Sequence, residues 1–124
     1  MNIPNSMTVL TEMLPVSLVM AEKQLTGVYN FCNPGAISHN ECLALYKKHV
    51  DPAYTWENFT VEEQDKILKA ARSNNTLTHD KLMDAIPAGM VNEIHVAMEE
   101  CMKRMKVNLE KEGLWPDNLP TRRG

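Results

Sequence analysis

Arg72, followed by Ser73, Asn74 and Asn75, is the group in this chain whose type and setting best suit ligand chemistry. A planar guanidinium fork beside amide donors matches a diphosphate, whose spread charge accepts paired hydrogen bonds. Spacing alone leaves a second account open, and favours it: Arg72 follows a helix, where a surface arginine complements the negative end of the macrodipole. Other chemistries find less support. The five glycines, at 27, 35, 89, 113 and 124, never cluster as a turn cradling a dinucleotide requires. No tyrosine has a lysine four residues on to lower its pKa, since Asn33, Val50 and Asn58 follow Tyr29, Tyr46 and Tyr54 at that distance. His39, His49 and His79 are isolated. His95 and Glu99 stand one helical turn apart, as two metal ligands would, but such a pair more often marks a solvated helix face. Cys32, Cys42 and Cys101 form no CxxC pair and have no histidine placed to activate them, so they read as reduced structural thiols. Catalytic, cofactor-binding and metal residues are therefore not expected within this chain.

The elements that position Arg72 follow from periodicity and punctuation. Thr8 is expected to cap a helix to about Lys23, with Leu10, Met13, Leu14, Leu18 and Ala21 on one face and Pro15 kinking it or delaying its start. Val28, Asn30 and Cys32 alternate with Tyr29 and Phe31, the period of a short strand, before an Asn33-Pro34-Gly35 turn. Ser38 to Glu41 and Thr60 to Glu63 each spell a capping box. The first should open a helix to about His49, stopped by Asp51-Pro52, and the second a helix to about Ala71. Residues 72–76 read as loop, Thr78 or His79 to Ala85 as a short helix, and Val91 to Glu112 as the last helix. That helix carries an apolar stripe of Ile94, Met98, Cys101, Met102, Met105 and Leu109. A lone strand leaves unpaired backbone groups, so its partner is either Tyr54 to Phe59 or lies outside the chain.

Composition bounds the class. At 124 residues and 44% hydrophobic the chain can build one small core. A net charge of −3 argues against a nucleic-acid or anionic-membrane surface. No apolar run approaches the roughly 18 residues of a membrane span, and no signal-peptide pattern opens the chain, so a cytoplasmic home is expected.

The run Asn2-Ile3-Pro4-Asn5-Ser6-Met7-Thr8-Val9-Leu10, then Gly27-Val-Tyr-Asn-Phe-Cys-Asn-Pro-Gly-Ala-Ile-Ser-His-Asn-Glu41, then Arg72-Ser-Asn-Asn75 with Lys81-Leu82, resembles the C-terminal part of nucleotide-rhamnose synthases. These are bifunctional 3,5-epimerase/4-keto-reductases of the extended short-chain dehydrogenase/reductase superfamily. The resemblance is strong to about Ala71, good through Leu82 and merely compatible beyond. Thr78 stands where the family often has an acidic residue, and the end of the chain has no recognisable counterpart.

The resemblance implies a mainly α fold with one or two short strands: a partial α/β unit, the C-terminal substrate-binding lobe of the extended fold. That lobe would span residues 1–109, with 110–124 a flexible tail. In the family an arginine of this region contacts the diphosphate of the sugar nucleotide, which would make Arg72 that contact and give Asn74 and Asn75 the same loop. Asn30 and Asn33 match the Tyr-Asn-Phe-x-Asn-Pro-Gly motif and are candidate substrate residues, although strand end and turn would explain both. The ligand would be a UDP- or dTDP-linked sugar. NADPH and the catalytic dyad belong to an N-terminal Rossmann region whose motifs are missing here. A truncated product, a split subunit or an excised domain would fit, with a Rossmann partner chain implied and no activity alone. The rival is a non-catalytic helical module derived from that lobe, binding a protein through the Ile94 to Leu109 stripe and the tail that follows it.

Overall fold

Five helices occupy residues 2–70 and 73–114, which the computed structural model describes: α1 (Leu10–Glu22), α2 (His39–His49), α3 (Val61–Ile67), α4 (Asp80–Ala85) and α5 (Ile94–Lys111). Both capping boxes close. The Ser38 and Thr60 hydroxyls accept from the Glu41 and Glu63 amides, and each glutamate reaches back to the cap's own N–H at 2.8 Å. These boxes satisfy first-turn amides that the helices themselves leave without partners. Among the described residues no helix is long and apolar enough to cross a membrane.

The strand expected over Val28 to Cys32 does not form. Extended pairing among the described residues is limited to one antiparallel bridge between Asn5 and Ile37. Side chains take up the backbone of this segment one group at a time. Val28 O accepts from Lys81 Nζ at 2.8 Å, and Phe31 O accepts from the Thr8 hydroxyl at 2.6 Å. The Lys81 ammonium also lies 4.4 Å from the Tyr29 ring centroid. Val28 itself is 83% exposed. Tyr54 to Phe59 is no strand either. The Tyr54 ring meets Tyr46 edge-on at 5.1 Å and stacks on Trp56 at 6.2 Å, while Trp56 Nε1 donates to Asn40 Oδ1, so this segment lies along α2.

The start of α1 also differs from expectation. Val9, not Thr8, holds the N-cap position; its N–H donates to Asn33 Oδ1 at 2.8 Å, because the Thr8 hydroxyl is spent on Phe31. Pro15 lies within α1, which continues through it. The buried face is Met13 and Val16 with Met20 packed beside them, whereas Leu10, Leu14, Leu18 and Ala21 are exposed. α3 ends at Ile67 instead of near Ala71, with Leu68 already extended, since its exposed side chains offer little packing to sustain more turns. α5 begins at Ile94 because the Glu93 carboxylate caps it, accepting from the His95 amide at 2.8 Å.

Two clusters form the core. Val9, Ile37, Ile94 and Ala97 gather Met7, Cys42, Leu45, Met98 and Cys101, which joins α2 to the first half of the α5 stripe. Met13, Val16, Leu82 and Ile86 gather Met20, Tyr29 and Phe31, which joins α1 to α4. Gly35 sits between layers at φ +89°, where a Cβ would meet Glu93 and Ile94, so both backbone and space require glycine.

Candidate functional site

The segment Asn5 to Val9 links every part of the candidate site. On one side Asn5 pairs with Ile37, and Met7 O accepts from the Asn33 amide at 3.0 Å. On the other it holds the loop that follows Arg72. The Asn75 amide donates to Asn5 Oδ1 at 2.7 Å, Asn75 O accepts from the Ser6 amide at 2.6 Å, and the Leu77 amide donates to Ser6 Oγ at 2.7 Å.

Between this tethered loop and α3 opens a cleft of about 260 Å³. Ile3, Phe59, Ile67 and Leu68 supply its apolar wall, and Asn5, Gln64, Ser73 and Asn74 its polar groups, with His39 at the start of α2. Gln64, Ile67 and Leu68 fall three and four residues apart, so one face of α3 and its first following residue turn toward the opening.

The sequence-derived candidates separate here. Asn74 lines the cleft, and Asn75 anchors the loop through its backbone. Arg72 lies outside the described residues. Asn30 Nδ2 donates to Thr78 O, which fastens the segment before the turn to the start of α4. Asn33 is fully buried. Its Oδ1 takes the Val9 amide, and its Nδ2 donates to Glu12 Oε2 at 2.9 Å and Asn92 O at 3.1 Å. All its hydrogen-bonding capacity at the amide nitrogen is spent inside the fold. The cleft wall of Phe59, Gln64, Ile67 and Leu68 was not anticipated, though the Thr60 capping box carried the signal. A helix starting there must present Gln64 and Ile67 on one face.

Reactive groups elsewhere are at rest. Burial pushes the Cys32 and Cys42 thiols above their ordinary range, away from thiolate. His95 Nδ1 lies 2.7 Å from Glu93 Oε1 and its Nε2 3.1 Å from Glu41 Oε1, joining the N-termini of α5 and α2. Those hydrogen bonds, to Glu93 first and Glu41 second, hold the imidazole above its ordinary pKa. His49 Nε2 lies 2.8 Å from Glu99 Oε1 and, with Lys48, keeps that carboxyl below its usual range. So Glu99 pairs with α2, not with His95. Among the described residues no three histidine, cysteine or acidic side chains gather as a metal ion would require.

No protein-family model matches this chain. It is 56% identical over 86 residues to a bifunctional dTDP-4-dehydrorhamnose 3,5-epimerase/dTDP-4-dehydrorhamnose reductase of Arabidopsis thaliana, covering 69% of this chain and 29% of that one. It is 55% identical over 86 residues to a trifunctional UDP-glucose 4,6-dehydratase/UDP-4-keto-6-deoxy-D-glucose 3,5-epimerase/UDP-4-keto-L-rhamnose-reductase of the same plant, covering 13% of its length. Among solved structures, the L780 UDP-rhamnose synthase of Acanthamoeba polyphaga mimivirus superposes with a TM-score of 0.77 at 47% identity, over 84% of this chain and 36% of that one. The chain thus spans about a third of the bifunctional and viral relatives and less of the trifunctional one. It is a homologue of the C-terminal part of the rhamnose epimerase/reductases.

Proposed function

We propose that this chain, as a homologue of that C-terminal part, is the nucleotide-sugar-binding lobe of a rhamnose-forming epimerase/4-keto-reductase and is catalytically silent alone. The observation that carries the reading is the cleft bordered by Ser73 and Asn74, directly after Arg72, with its loop tied to Asn5 and Ser6 by three hydrogen bonds. In this reading the arginine that precedes the tethered loop would serve the diphosphate, a positioning role and not an acid–base one. The resemblance noted above points to the same arginine.

The residues present do not fit a dinucleotide. Gly27, Gly35, Gly89 and Gly113 stand singly, and no two share a turn. Hydride transfer from NADPH would therefore belong to a separate cofactor half. Leu10, Leu14 and Leu18 support such a partner, because four-residue spacing aligns them as an exposed apolar stripe on α1 of the kind a docked domain covers. A soluble, intracellular setting follows from this reading.

Calorimetric titration with UDP and dTDP tests the lobe. Binding that falls at least tenfold in Arg72→Ala supports it; no binding, or binding indifferent to Arg72, overturns it. Incubation with NADPH and the 4-keto sugar nucleotide tests silence, which turnover by this polypeptide alone would refute.

A further inference from the structure

We infer that His95 is a positioning residue for the cleft: its imidazolium, clasped between Glu93 and Glu41, fixes the start of α2 and, through Asn5, the loop that carries Asn74. This rests on the nucleotide-sugar reading above only for what the cleft binds, and adds how that site responds to protons.

The clasp is set by geometry. Both ring nitrogens face a carboxylate oxygen, Nδ1 at 2.7 Å from Glu93 Oε1 and Nε2 at 3.1 Å from Glu41 Oε1. Only a ring protonated on both nitrogens donates to both; a neutral imidazole turns a lone pair toward one of them. Glu93 is the carboxylate that keeps its bond. Its other oxygen accepts from the His95 amide at 2.8 Å, and it lies so close to Gly35 that a Cβ there would collide with it. Glu41 is therefore released when the proton leaves. Glu99 and Lys48, which share the groove between α2 and α5 with Glu41 and His95, are engaged elsewhere. They pair with each other at 3.4 Å, and Glu99 pairs with His49 at 2.8 Å.

Glu41 connects this clasp to the cleft. Its second oxygen accepts from the Ser38 amide at 2.8 Å, within the capping box that opens α2. On one side of Ser38, Ile37 exchanges two backbone hydrogen bonds with Asn5, each of 3.0 Å. Asn5 Oδ1 in turn accepts from the Asn75 amide, next to Asn74. On the other side of Ser38, His39 lines the cleft together with Asn5 and Asn74. Ile37 and Ser38 are both buried, so a shift at the start of α2 is passed along the backbone and not absorbed by loose packing. The clasp is closed below the folded pKa of His95, which the two carboxylates raise, and opens as pH rises through it. All three side chains are about half exposed, which limits the coupling to about fivefold in an equilibrium.

The test follows amide resonances of the unliganded chain from about pH 5 to about pH 8.5, beside the His95 ring protons, in wild type, His95→Gln and Glu41→Gln. Glutamine still completes a capping box, so Glu41→Gln keeps α2 and removes only the charge. In wild type the Asn5 and Asn75 amides should shift with the midpoint of the His95 ring. Both responses should vanish in either variant, each of which leaves His39 and His49 in place. Amides that stay still, or that follow His39 instead, overturn the inference. Calorimetric titration with UDP then reads the consequence. Between about pH 5.5 and about pH 8.5 wild-type affinity should fall about two- to fivefold more than that of His95→Gln, a comparison that cancels the titration of His39 and of the phosphates. Equal falls overturn the coupling to the site even where the amides move. If the folded chain binds no UDP, the nucleotide reading fails, and the amide titration still decides the role of His95.

Discussion

The buried amide of Asn33 donates to the Glu12 carboxylate across 2.9 Å, which ties the Pro-Gly turn to the first turn of α1. The same carboxylate accepts from the Asn92 side chain, so one glutamate gathers the turn, α1 and the approach to α5. Asn33→Ala would leave the Val9 amide, the Asn92 carbonyl and part of Glu12 without partners in a site closed to water. Removing a hydrogen-bonded buried group in this way costs roughly 2–4 kcal/mol. Urea denaturation should show that loss. UDP affinity of the folded fraction should stay within about twofold, because no amide hydrogen of Asn33 is left to reach a ligand.

The two apolar faces of α1 give a second test. Met13 is fully buried against α4, and truncating it to alanine should cost about 3 kcal/mol. Leu14, one residue on, is 56% exposed, and Leu14→Lys should change stability by no more than about 0.5 kcal/mol. Denaturation midpoints for the two variants measure the contrast. Equal costs would mean that the Leu10–Leu14–Leu18 face is covered in solution.

These faces also show what could be read in advance. Both Leu10–Leu14–Leu18 and Met13–Val16–Met20 satisfy helical spacing, and nothing on α1 itself chooses between them. The choice is made by Leu82, Ile86, Tyr29 and Phe31, which come from elsewhere in the chain. The capping boxes were legible because each carries both partners within four residues. The strand failed for the opposite reason. Alternation over Val28 to Cys32 sets directions for side chains but cannot supply a neighbouring strand, and Lys81 and Thr8 took the carbonyls instead. Of the candidate site, the loop after Arg72 was visible as a motif. The cleft beside it needed α3, the N-terminal segment and the loop in one place.

His95 makes stability depend on pH. Its folded pKa lies above the ordinary 6.5, first through Glu93 and then Glu41, so its contribution is complete below about 6.5 and fades as pH rises through the folded value. Glu41, held mainly by the Ser38 amide, and Glu93, where burial pushes upward but the hydrogen bonds and charge of His95 with the Val96 amide together outweigh it, lie below the ordinary 4.5. Their contribution is present above 4.5 and fades as pH falls through their folded values. The three groups therefore hold the N-termini of α2 and α5 most firmly between about 4.5 and 6.5. All three are about half exposed, so solvent screening limits the effect to about 1 kcal/mol or less. His95→Gln should lower Tm at about pH 5.5 and approach wild type at about pH 8.5. A gap that widened with pH would reverse the assignment.

The tether of the 73–77 loop is local enough to be loosened without unfolding the core. Asn5 Oδ1 and Ser6 Oγ each accept one loop amide, from Asn75 and Leu77, at 2.7 Å. Each such bond contributes about 1 kcal/mol net, which is about fivefold in the equilibrium for local opening. Asn5→Ala should speed exchange of the Asn75 amide about fivefold, and Ser6→Ala should do the same for Leu77. Amides of α5 should be unchanged in both, because the Asn5 and Ser6 side chains being removed are not part of the Val9, Ile37, Ile94 and Ala97 cluster that holds α5. A loop that opens more often holds Asn74 at the cleft for less of the time, so UDP binding should weaken by a factor no larger than the gain in exchange. An affinity loss far above that factor would mean that Asn5 or Ser6 touches the nucleotide directly instead of holding the loop that does.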